Sequence, residues 1–362
     1  MKRLFKKEFY GKLCKKITDR FKAVDFKNFF SVGRLKSLFS RPKLVIVIAF
    51  VWFFVFILTL LFYPFYNVET VVYIPPGTGS AHIGKILCDE GVVRSELLFN
   101  VAGRVFNMFS RIKSGEYEFK GRVSTWGVLR KLTKWQIKLY KVTVPEGYTI
   151  EEIALLLSGK GLVNYNRFVD MAGSSSFKID SYFFPSNLEG YLLPDTYYFA
   201  RASNTEEFII GRMLTQFKKR VIDVYTDQVP AGYTLNDVIT IASIVEKEAM
   251  TGRERPIIAK VFYNRLRRGM LLQSCSTVMY ALNKKNGRLS LKDLTVPSRF
   301  NTYLNPGVPP HPICSPGIAS IKAVFNPADT DYLYFVSKND GTHHFTTNFE
   351  EHKKAKIKYQ GG

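Results

Sequence analysis

A long apolar run extends from Leu44 to Tyr63. Its twenty residues include no charged side chain, and Thr59 is the one clearly polar member. At about 1.5 Å per residue, a helix of this length matches the ~30 Å hydrocarbon core of a bilayer. Cleaved signal peptides usually have apolar cores of about 7–15 residues, and no small-residue cleavage motif follows Tyr63. The pattern therefore predicts a transmembrane helix over 44–63 rather than a removed leader.

Two segments seventy residues apart repeat one pattern of polar and apolar positions. Each copy predicts a β-branched strand, a Pro/Gly turn and a short amphipathic helix that ends at a glycine. Thr149 and Glu152 fit a capping box at the start of the second helix, and the alternating segment 115–119 predicts another strand. The matching pairs are Pro75/Pro145, Gly77/Gly147, Ile83/Ile153, Leu87/Leu157, Gly91/Gly161 and Val93/Val163. We expect small α+β modules that form either a glycan- or wall-binding surface or a packing spacer.

A third copy of the turn motif, at 229–238, precedes a helix of a different kind. Apolar residues cover most of its circumference, so the helix is expected to be buried on nearly all sides. These residues are Val238, Ile239, Ile241, Ala242, Ile244, Val245 and Ala249. The end of the helix nevertheless carries Glu246 and Glu248, and only Lys247 between them clearly points away.

A carboxyl group on a buried helix needs either a partner or a raised pKa, because desolvation disfavours its charged form. A raised carboxyl pKa is what a general acid for glycoside cleavage requires. The alternative is a structural ion pair with Arg253, Arg255 or Arg265. Periodicity alone favours the ion pair.

The net charge of +22, from 52 Lys+Arg and 30 Asp+Glu, divides into two equal parts. Residues 1–43 hold 14 basic and three acidic side chains, so this tail carries +11 and the remaining chain +11. No basic residue lies between Tyr63 and Lys85. The positive-inside rule therefore predicts a cytoplasmic N-terminus and export of residues 64–362. The tail is then a topology signal, which argues against nucleic-acid binding.

Composition and motif spacing exclude several other classes of protein. Apolar residues make up 46% of the chain, which is too many for a disordered polyelectrolyte. Four cysteines are too few for a disulfide scaffold, although pairing of Cys275 with Cys314 stays open. The histidines lack the spacing of a zinc hydrolase, and the turn at 76–79 lacks the Lys-Ser/Thr of a phosphate loop.

Several loops of the C-terminal half combine aromatic side chains with amides and hydroxyls. Proteins bind sugars with such sets, because rings stack on the apolar sugar face while polar groups hydrogen-bond to the sugar hydroxyls. Taken singly, each of these Pro/Gly-containing loops is a weak signal. They lie at 187–197, 265–273, 299–303, 306–310 and 315–317.

Taken together with the helix end, these segments resemble the MltG (YceG-like) family of endolytic murein transglycosylases. The resemblance covers nearly all of 44–355 and rests on several motifs in the family's order. They are Glu189-Gly-Tyr-Leu-Leu-Pro-Asp-Thr-Tyr197, Ala242-Ser-Ile-Val-Glu-Lys-Glu248, Val261-Phe-Tyr-Asn-Arg-Leu266, Gly269-Met-Leu-Leu-Gln273, Asn301-Thr-Tyr303, Gly307-Val-Pro-Pro310 and Tyr332-Leu-Tyr-Phe335.

The resemblance implies an α+β chain with a single N-terminal transmembrane helix, a small α+β (LysM-like) repeat module and a mixed α/β catalytic domain. The expected boundaries are a basic cytoplasmic tail over 1–43, the span over 44–63, the repeat module over 68–165 and the catalytic domain over 166–355. The implied location is the inner (cell) membrane, with the catalytic domain outside the cytoplasm.

The implied reaction is cleavage of the MurNAc–GlcNAc β-1,4 bond inside nascent glycan strands, which leaves 1,6-anhydroMurNAc ends and terminates strand elongation. One glutamate carries out both proton transfers, without a metal or other cofactor. Its position in the Val-Glu-Lys-Glu motif identifies it as Glu248, with Glu246 as the alternative. The residues implied to orient sugar, each with a structural role as its alternative, are Glu189, Tyr191, Gln273, Asn301 and Tyr303.

The implied partners are peptidoglycan glycan strands, the membrane and peptidoglycan synthases of the elongation machinery, and no nucleic acid. A non-catalytic wall-binding scaffold and a muramidase that gives hydrolytic products remain alternatives. One position and one short segment depart from the family pattern. Ala249 stands where the family usually has Thr or Ser, and Ser274-Cys-Ser-Thr277 stands where it tends to have Thr/Ser-Asp-Pro-Thr.

Overall fold

The computed structural model describes residues 42–64, 66–201, 204–285, 287 and 289–361. The predicted basic tail, which includes Cys14, lies outside these residues except for Pro42 and Lys43. The chain divides into two compact units. The first unit contains the described residues up to Val72, Thr78–Lys113 and Glu118–Gln136, and the second contains Tyr73–Gly77, Ser114–Tyr117 and the chain from Ile137 onward.

The described part of the first unit begins with helix α1, Pro42–Phe62. Within the described chain, α1 is the one helix that is long and apolar enough to cross a membrane, over Leu44–Phe62. Its side chains are largely uncovered by the rest of the protein, and Trp52 is 71% exposed. The apolar helix predicted from the sequence is thus present, and it is compatible with a single-pass anchor.

Two strands and three further helices complete the described part of the first unit. Strands β1 and β2 form a two-stranded sheet. Ser95 and Ser124 cap the helices α3 and α4 by accepting hydrogen bonds from backbone N–H groups of the first turn. The elements are β1 (Tyr66–Ile74), α2 (Ser80–Asp89), α3 (Glu96–Val105), a 3₁₀ turn (Phe109–Arg111), β2 (Gly115–Val123) and α4 (Thr125–Thr133).

The second unit is mainly helical, with three short antiparallel strand pairs. Its elements begin with β3 (Tyr140–Thr143), α5 (Ile150–Gly159), α6 (Tyr165–Ser174), β4 (Lys178–Ile179), β5 (Tyr182–Phe183), β6 (Thr196–Phe199), α7 (Glu206–Phe217), a π turn (Lys218–Ile222), α8 (Asp223–Tyr225) and a 3₁₀ turn (Thr226–Gln228). They continue with α9 (Leu235–Glu248), α10 (Arg255–Arg267), α11 (Cys275–Ala281), a 3₁₀ turn (Asp293–Thr295), α12 (Ile318–Phe325), β7 (Tyr334–Ser337), β8 (His343–Thr346) and α13 (Phe349–Gln360). The chain is therefore a mixed α+β protein.

The two sequence repeats adopt the predicted order of strand, turn and helix. Gly77 and Gly147 have φ angles of 74° and 78° in the two turns, a left-handed conformation that favours glycine. Thr149 and Glu152 form the predicted capping box. The two copies nevertheless belong to different units.

The second copy packs into the core of the second unit. Ile153, Ala154 and Leu157 of α5 are fully buried in one apolar cluster with residues of α9. This copy therefore belongs to the part of the second unit that runs from Ile137 onward. Apolar burial, which the repeat pattern does not report, decides where this copy belongs.

Helix α9 runs through the core of the second unit, as its apolar circumference predicts. Thr234 and Asp237 form a capping box at its start. Every residue from Val238 to Val245 is buried. Such burial fixes the position of the helix and of the two glutamates at its end.

Candidate active site

Glu248 is the last residue of α9 and lies where the buried helix reaches a half-exposed surface. The next residue, Ala249, has extended backbone angles (φ −78°, ψ 119°), so the chain leaves the helix immediately after Glu248. A rigid, buried helix thus presents one carboxylate at its end. Side chains on rigid elements hold reactive geometry better than side chains on mobile loops.

Ser274 holds the Glu248 carboxylate. Its Oγ lies 2.5 Å from Glu248 Oε1 and donates a hydrogen bond to it, and Ser276 Oγ lies 2.7 Å from Ser274 Oγ. Among the described residues, Ser274 alone donates to Glu248. The other carboxylate oxygen of Glu248 thus has no hydrogen-bond donor from these residues and remains available to a substrate.

A small network fixes the loop that carries Ser274. Gln273 N–H donates to Thr302 O (3.1 Å), and Ser274 N–H donates to Thr302 Oγ1 (3.0 Å). Thr302 Oγ1 also lies 2.9 Å from Thr277 Oγ1. Gln273 has a φ of 50°, which is uncommon for a residue with a side chain and is held here by its neighbours. Hydrogen bonds therefore join the sequence motifs around residues 273 and 302 to each other.

Arg265 of α10 supports the same loop from inside. It is only 7% exposed, and burial lowers the pKa of its guanidinium. The guanidinium donates to three backbone oxygens, those of Leu333 (2.6 Å), Leu272 (2.8 Å) and Leu271 (3.2 Å). These bonds offset the cost of burying the charge and anchor the chain just before Gln273.

Tyr303 lies at the other side of the Ser274 loop. Its hydroxyl is 3.1 Å from the Sγ atom of Cys275. Burial raises the pKa of Tyr303, and the nearby Cys275 and the charge of Glu248 raise it further. Tyr303 is therefore neutral at physiological pH and offers a hydroxyl rather than a phenolate.

Cys275 and Cys314 are free thiols in this structure. Cys275 is exposed beside Tyr303, whereas Cys314 is fully buried, with its Sγ atom 3.4 Å from Ser243 O. The pairing that the sequence left open is thus not formed.

Glu246 has different surroundings from Glu248, although only Lys247 separates them. Its carboxylate accepts hydrogen bonds from Ser320 Oγ (2.7 Å) and Gly317 N–H (3.0 Å) and pairs with Arg255 at 3.4 Å. The ion pair that periodicity favoured is thus present for Glu246, with Arg255 as its partner. Glu246 joins α9 to α10 and α12, which is a structural role.

Glu189 lies at the N-terminus of α5. Both carboxylate oxygens are 3.2 Å from the Ile150 nitrogen, which donates to them. The residue is 4% exposed. Burial raises its pKa to about 8, and the hydrogen bonds from Ile150 and Gly190 offset only part of that effect.

Tyr191 and Asn301 lie in the interior. Tyr191 is 2% exposed, and its hydroxyl donates to Asn236 Oδ1 at 3.1 Å. Asn301 is fully buried; its Nδ2 donates to Leu294 O and Val296 O at 2.9 Å each, and its Oδ1 accepts from Tyr303 N–H. Their polar groups are engaged inside the fold, where Asn301 shapes the loop that carries Tyr303.

A cavity of about 430 Å³ adjoins the site at Ser276. Its walls carry charges of both signs, and Glu189 forms part of the lining. The polar residues around it are Thr149, Glu151, Glu152, Glu189, Lys247, Ser276, Tyr280, Asn283, Lys284 and Lys285. Its chemistry suits a polar ligand that bears charged groups.

The structure thus brings together three of the predicted residues, Glu248, Gln273 and Tyr303, on two loops and a helix end. Glu189 lines the adjoining cavity. The sequence reasoning missed Ser274 and Thr302, which hold the carboxylate and the loop. The serine-rich segment after Gln273 was a signal for them, but spacing does not reveal which hydroxyl contacts Glu248.

The chain is similar to several known proteins. Residues 72–358 match the model of the YceG-like family. The protein named endolytic murein transglycosylase from Bacillus subtilis (strain 168) is 32% identical over 301 residues, which cover 79% of this chain and 83% of the relative. The protein of the same name from Streptococcus pneumoniae (strain D39) is 32% identical over 313 residues, covering 78% of this chain and 56% of the relative.

A solved structure supports the same relationship. The crystal structure of a YceG-like protein from Listeria monocytogenes aligns with a TM-score of 0.54 at 30% identity, covering 79% of this chain and 98% of that one. The matches span both the repeats and the segment that holds Glu248 and Ser274. On this combined evidence, the chain belongs to the YceG-like family.

Proposed function

We propose that the protein is a membrane-anchored endolytic peptidoglycan lytic transglycosylase. Its relatives carry the name endolytic murein transglycosylase. The observation that carries the proposal is the carboxylate of Glu248, held at the end of buried α9 by Ser274 Oγ at 2.5 Å. Glu246, the alternative, is engaged by Arg255 and Ser320. The substrate is the MurNAc–GlcNAc β-1,4 bond of nascent glycan strands.

One carboxyl group is sufficient for the proposed reaction. Protonated Glu248 first donates its proton to the glycosidic oxygen, so the C1–O bond breaks with the electron pair on the leaving sugar. The resulting carboxylate then accepts the proton of the muramyl C6 hydroxyl as that oxygen bonds to C1. The product has a 1,6-anhydroMurNAc end, and Glu248 returns to its protonated form. Two-carboxylate hydrolases instead add water at C1.

The other residues of the site position the carboxyl group and the sugar. Ser274 limits the rotation of the Glu248 side chain, and Thr302 holds the Ser274 backbone. Gln273 and Tyr303 border the Ser274 loop and offer an amide and a neutral hydroxyl to sugar oxygens. Glu189 contributes to the adjoining cavity, while Tyr191 and Asn301 support the scaffold from within.

The location of the protein is part of the same proposal. Residues 1–43 form a cytoplasmic tail, α1 spans the inner membrane once, and the rest is extracytoplasmic. The first repeat belongs to a LysM-like module, and the catalytic domain extends to about residue 355. Synthases of the elongation machinery are the proposed protein partners, since they supply the nascent strands.

Analysis of product ends tests the reaction. The full-length chain and its Glu248→Gln and Glu246→Gln variants would be incubated with purified nascent glycan strands, and the ends identified by mass spectrometry. We expect anhydro ends, about 18 Da lighter than hydrolytic ends, from the wild type and from Glu246→Gln. Glu248→Gln should give none, because the neutral amide of Gln is far too weak an acid to protonate the leaving oxygen.

Each other outcome has a distinct meaning. Hydrolytic ends from the wild type would identify a muramidase. Glycan binding without cleavage by any of the three proteins would identify a scaffold. Activity that survives in Glu248→Gln and disappears in a folded Glu246→Gln would contradict the assignment of Glu248.

A further inference from the structure

Helix α3 of the first unit has two apolar faces. Phe99, Ala102 and Gly103 are buried in the unit. Leu97, Val101 and Val105, spaced four residues apart, form a stripe on the outer face and are 75%, 50% and 71% exposed. A contiguous apolar stripe that faces water is unfavourable and marks a surface that meets another apolar partner.

The stripe adjoins a cavity that it shares with the apolar helix α1. The cavity measures about 870 Å³. Phe56, Ile57 and Leu60 of α1 line one part of it, and Leu97 and Val101 of α3 line another. The outer face of α3 is therefore continuous with the surface of α1.

An aromatic cluster fixes the end of α1 to the same unit. The ring of Trp126 lies 5.4 Å from that of Phe62, the last residue of α1, and 4.9 Å from that of Phe106 beside α3. Residues 56–62, the last seven of α1, extend over about 10 Å along the helix, whereas half of a hydrocarbon core is about 15 Å. The stripe on α3 therefore lies at a depth that acyl chains reach when α1 spans a bilayer.

Polar groups line one part of the same cavity. Arg94 is exposed and contributes to the lining, together with Ser95, Ser124 and Thr125. An arginine and hydroxyl groups beside an apolar surface suit the boundary between lipid headgroups and acyl chains, because the guanidinium can pair with a phosphate. The cavity is thus amphiphilic in the way a phospholipid is.

We propose that α3 is a membrane-interface helix, embedded in the outer leaflet of the bilayer that α1 crosses. Phospholipid acyl chains fill the cavity between α1 and α3, and phosphate groups meet Arg94. The proposal rests on the insertion of α1 and is independent of the catalytic assignment. Its consequence is that the first unit has a fixed depth and orientation at the membrane surface.

Site-specific fluorescence measures this depth directly. In the full-length chain with its four cysteines replaced by Ser or Ala, one cysteine would be introduced by Val101→Cys and labelled with an environment-sensitive fluorophore. The protein would be reconstituted in phosphatidylglycerol/phosphatidylethanolamine vesicles that contain lipids with a nitroxide on the acyl chain. Glu90→Cys, at an exposed carboxylate after α2, provides the matched control.

We expect acyl-chain nitroxides to quench the label at position 101 by roughly threefold or more, with little quenching at position 90. Leu97→Cys, the most exposed position of the stripe, should behave like Val101→Cys and provides an independent variant. Equal, weak quenching at positions 97, 101 and 90 in correctly inserted protein would overturn the proposal. Because the measurement needs no glycan cleavage, this result is distinguishable from failure of the proposed enzymatic function.

Discussion

Glu246 and Glu248 lie two residues apart at the end of α9, and their carboxylates meet different surroundings. Glu246 is bound by Arg255, Ser320 and Gly317. Glu248 is held by one serine hydroxyl and keeps one oxygen available. Both oxygens of Glu246 are thus occupied by partners within the protein and are not free to meet a substrate. This difference supports Glu248 as the proposed acid.

The hydrogen bond from Ser274 to Glu248 predicts the effect of removing the Ser274 hydroxyl. Ser274→Ala removes the hydrogen bond that orients Glu248, and misplacement of a reacting group is costly to catalysis. We expect kcat for glycan cleavage to fall by roughly tenfold, or about 1.4 kcal/mol of activation free energy. KM should change little, because Ser274 contacts the carboxylate rather than the sugar. Steady-state release of anhydro ends measures both quantities.

Ser276→Ala is the matched control for Ser274→Ala. Its hydroxyl contacts Ser274 Oγ at 2.7 Å, with no hydrogen bond to Glu248 in the described structure. The expected loss of kcat is therefore smaller. If both variants lose activity equally while their unfolding midpoints match the wild type, the contact does not act through Glu248.

Among the elements, α5 is joined to the loop before β6 by a buried acid. Glu189 accepts from Ile150 N–H at the first turn of α5, where the helix dipole favours negative charge. Burial nevertheless dominates and raises the pKa of Glu189 to about 8. A family motif in the sequence singled out Glu189, but the burial of its side chain depends on how α5 packs.

This raised pKa predicts a specific pH dependence of stability. Since the folded-state pKa lies above the unfolded one, the contribution of protonated Glu189 is complete below pH 4.5 and is lost as the pH rises through about 8. The full difference corresponds to on the order of 5 kcal/mol. Glu189→Gln should remove this loss, so between pH 5 and pH 8.5 the variant gains stability relative to the wild type. Denaturant unfolding in detergent micelles measures it.

Glu207→Gln is the control for the pH effect. Glu207 is an exposed acid in the first turn of α7. Its replacement therefore leaves the buried carboxyl of Glu189 in place. We expect this variant to follow the wild type across the same pH range. A Glu189→Gln variant with unchanged pH dependence would show that Glu189 is ionised in the folded protein.

For the molecule as a whole, the distribution of charge determines the expected orientation in the membrane. Residues 1–43 carry half of the net charge of +22 and immediately precede the apolar part of α1, Leu44–Phe62. Positive charge is retained on the cytoplasmic side during insertion. The proposed peptidoglycan substrate lies on the opposite side, so the charge pattern and the proposed function predict the same orientation.

Protease protection in spheroplasts tests this orientation. With an epitope tag at each end of the full-length chain, added protease should remove the C-terminal tag and leave the N-terminal one intact. Lysis of the spheroplasts should then expose the N-terminal tag as well. Loss of the N-terminal tag before lysis, with a cytoplasmic marker still protected, would contradict the orientation.

Local patterns in the sequence were sufficient for several elements of both units. The apolar helix α1, the glycine turns of the two repeats, the capping box of Thr149 and Glu152 and buried α9 follow from apolar periodicity and from turn and cap residues. These features depend on neighbours within a few positions of the chain. The family motifs likewise identified Glu248 as the proposed acid.

Only the tertiary structure decided which side chains meet. It brought Ser274 to Glu248 across 26 positions and Arg255 to Glu246, placed Tyr191 and Asn301 inside the core, and assigned the second repeat to the second unit. Packing between segments far apart in the chain sets the burial and the hydrogen-bond partners of a side chain, and the spacing of nearby residues does not reveal them. The sequence by itself therefore determined the helices and the turns, and its family motifs predicted the carboxylate of Glu248. Packing decided that Glu248 keeps one carboxylate oxygen without a protein partner whereas Glu246 does not.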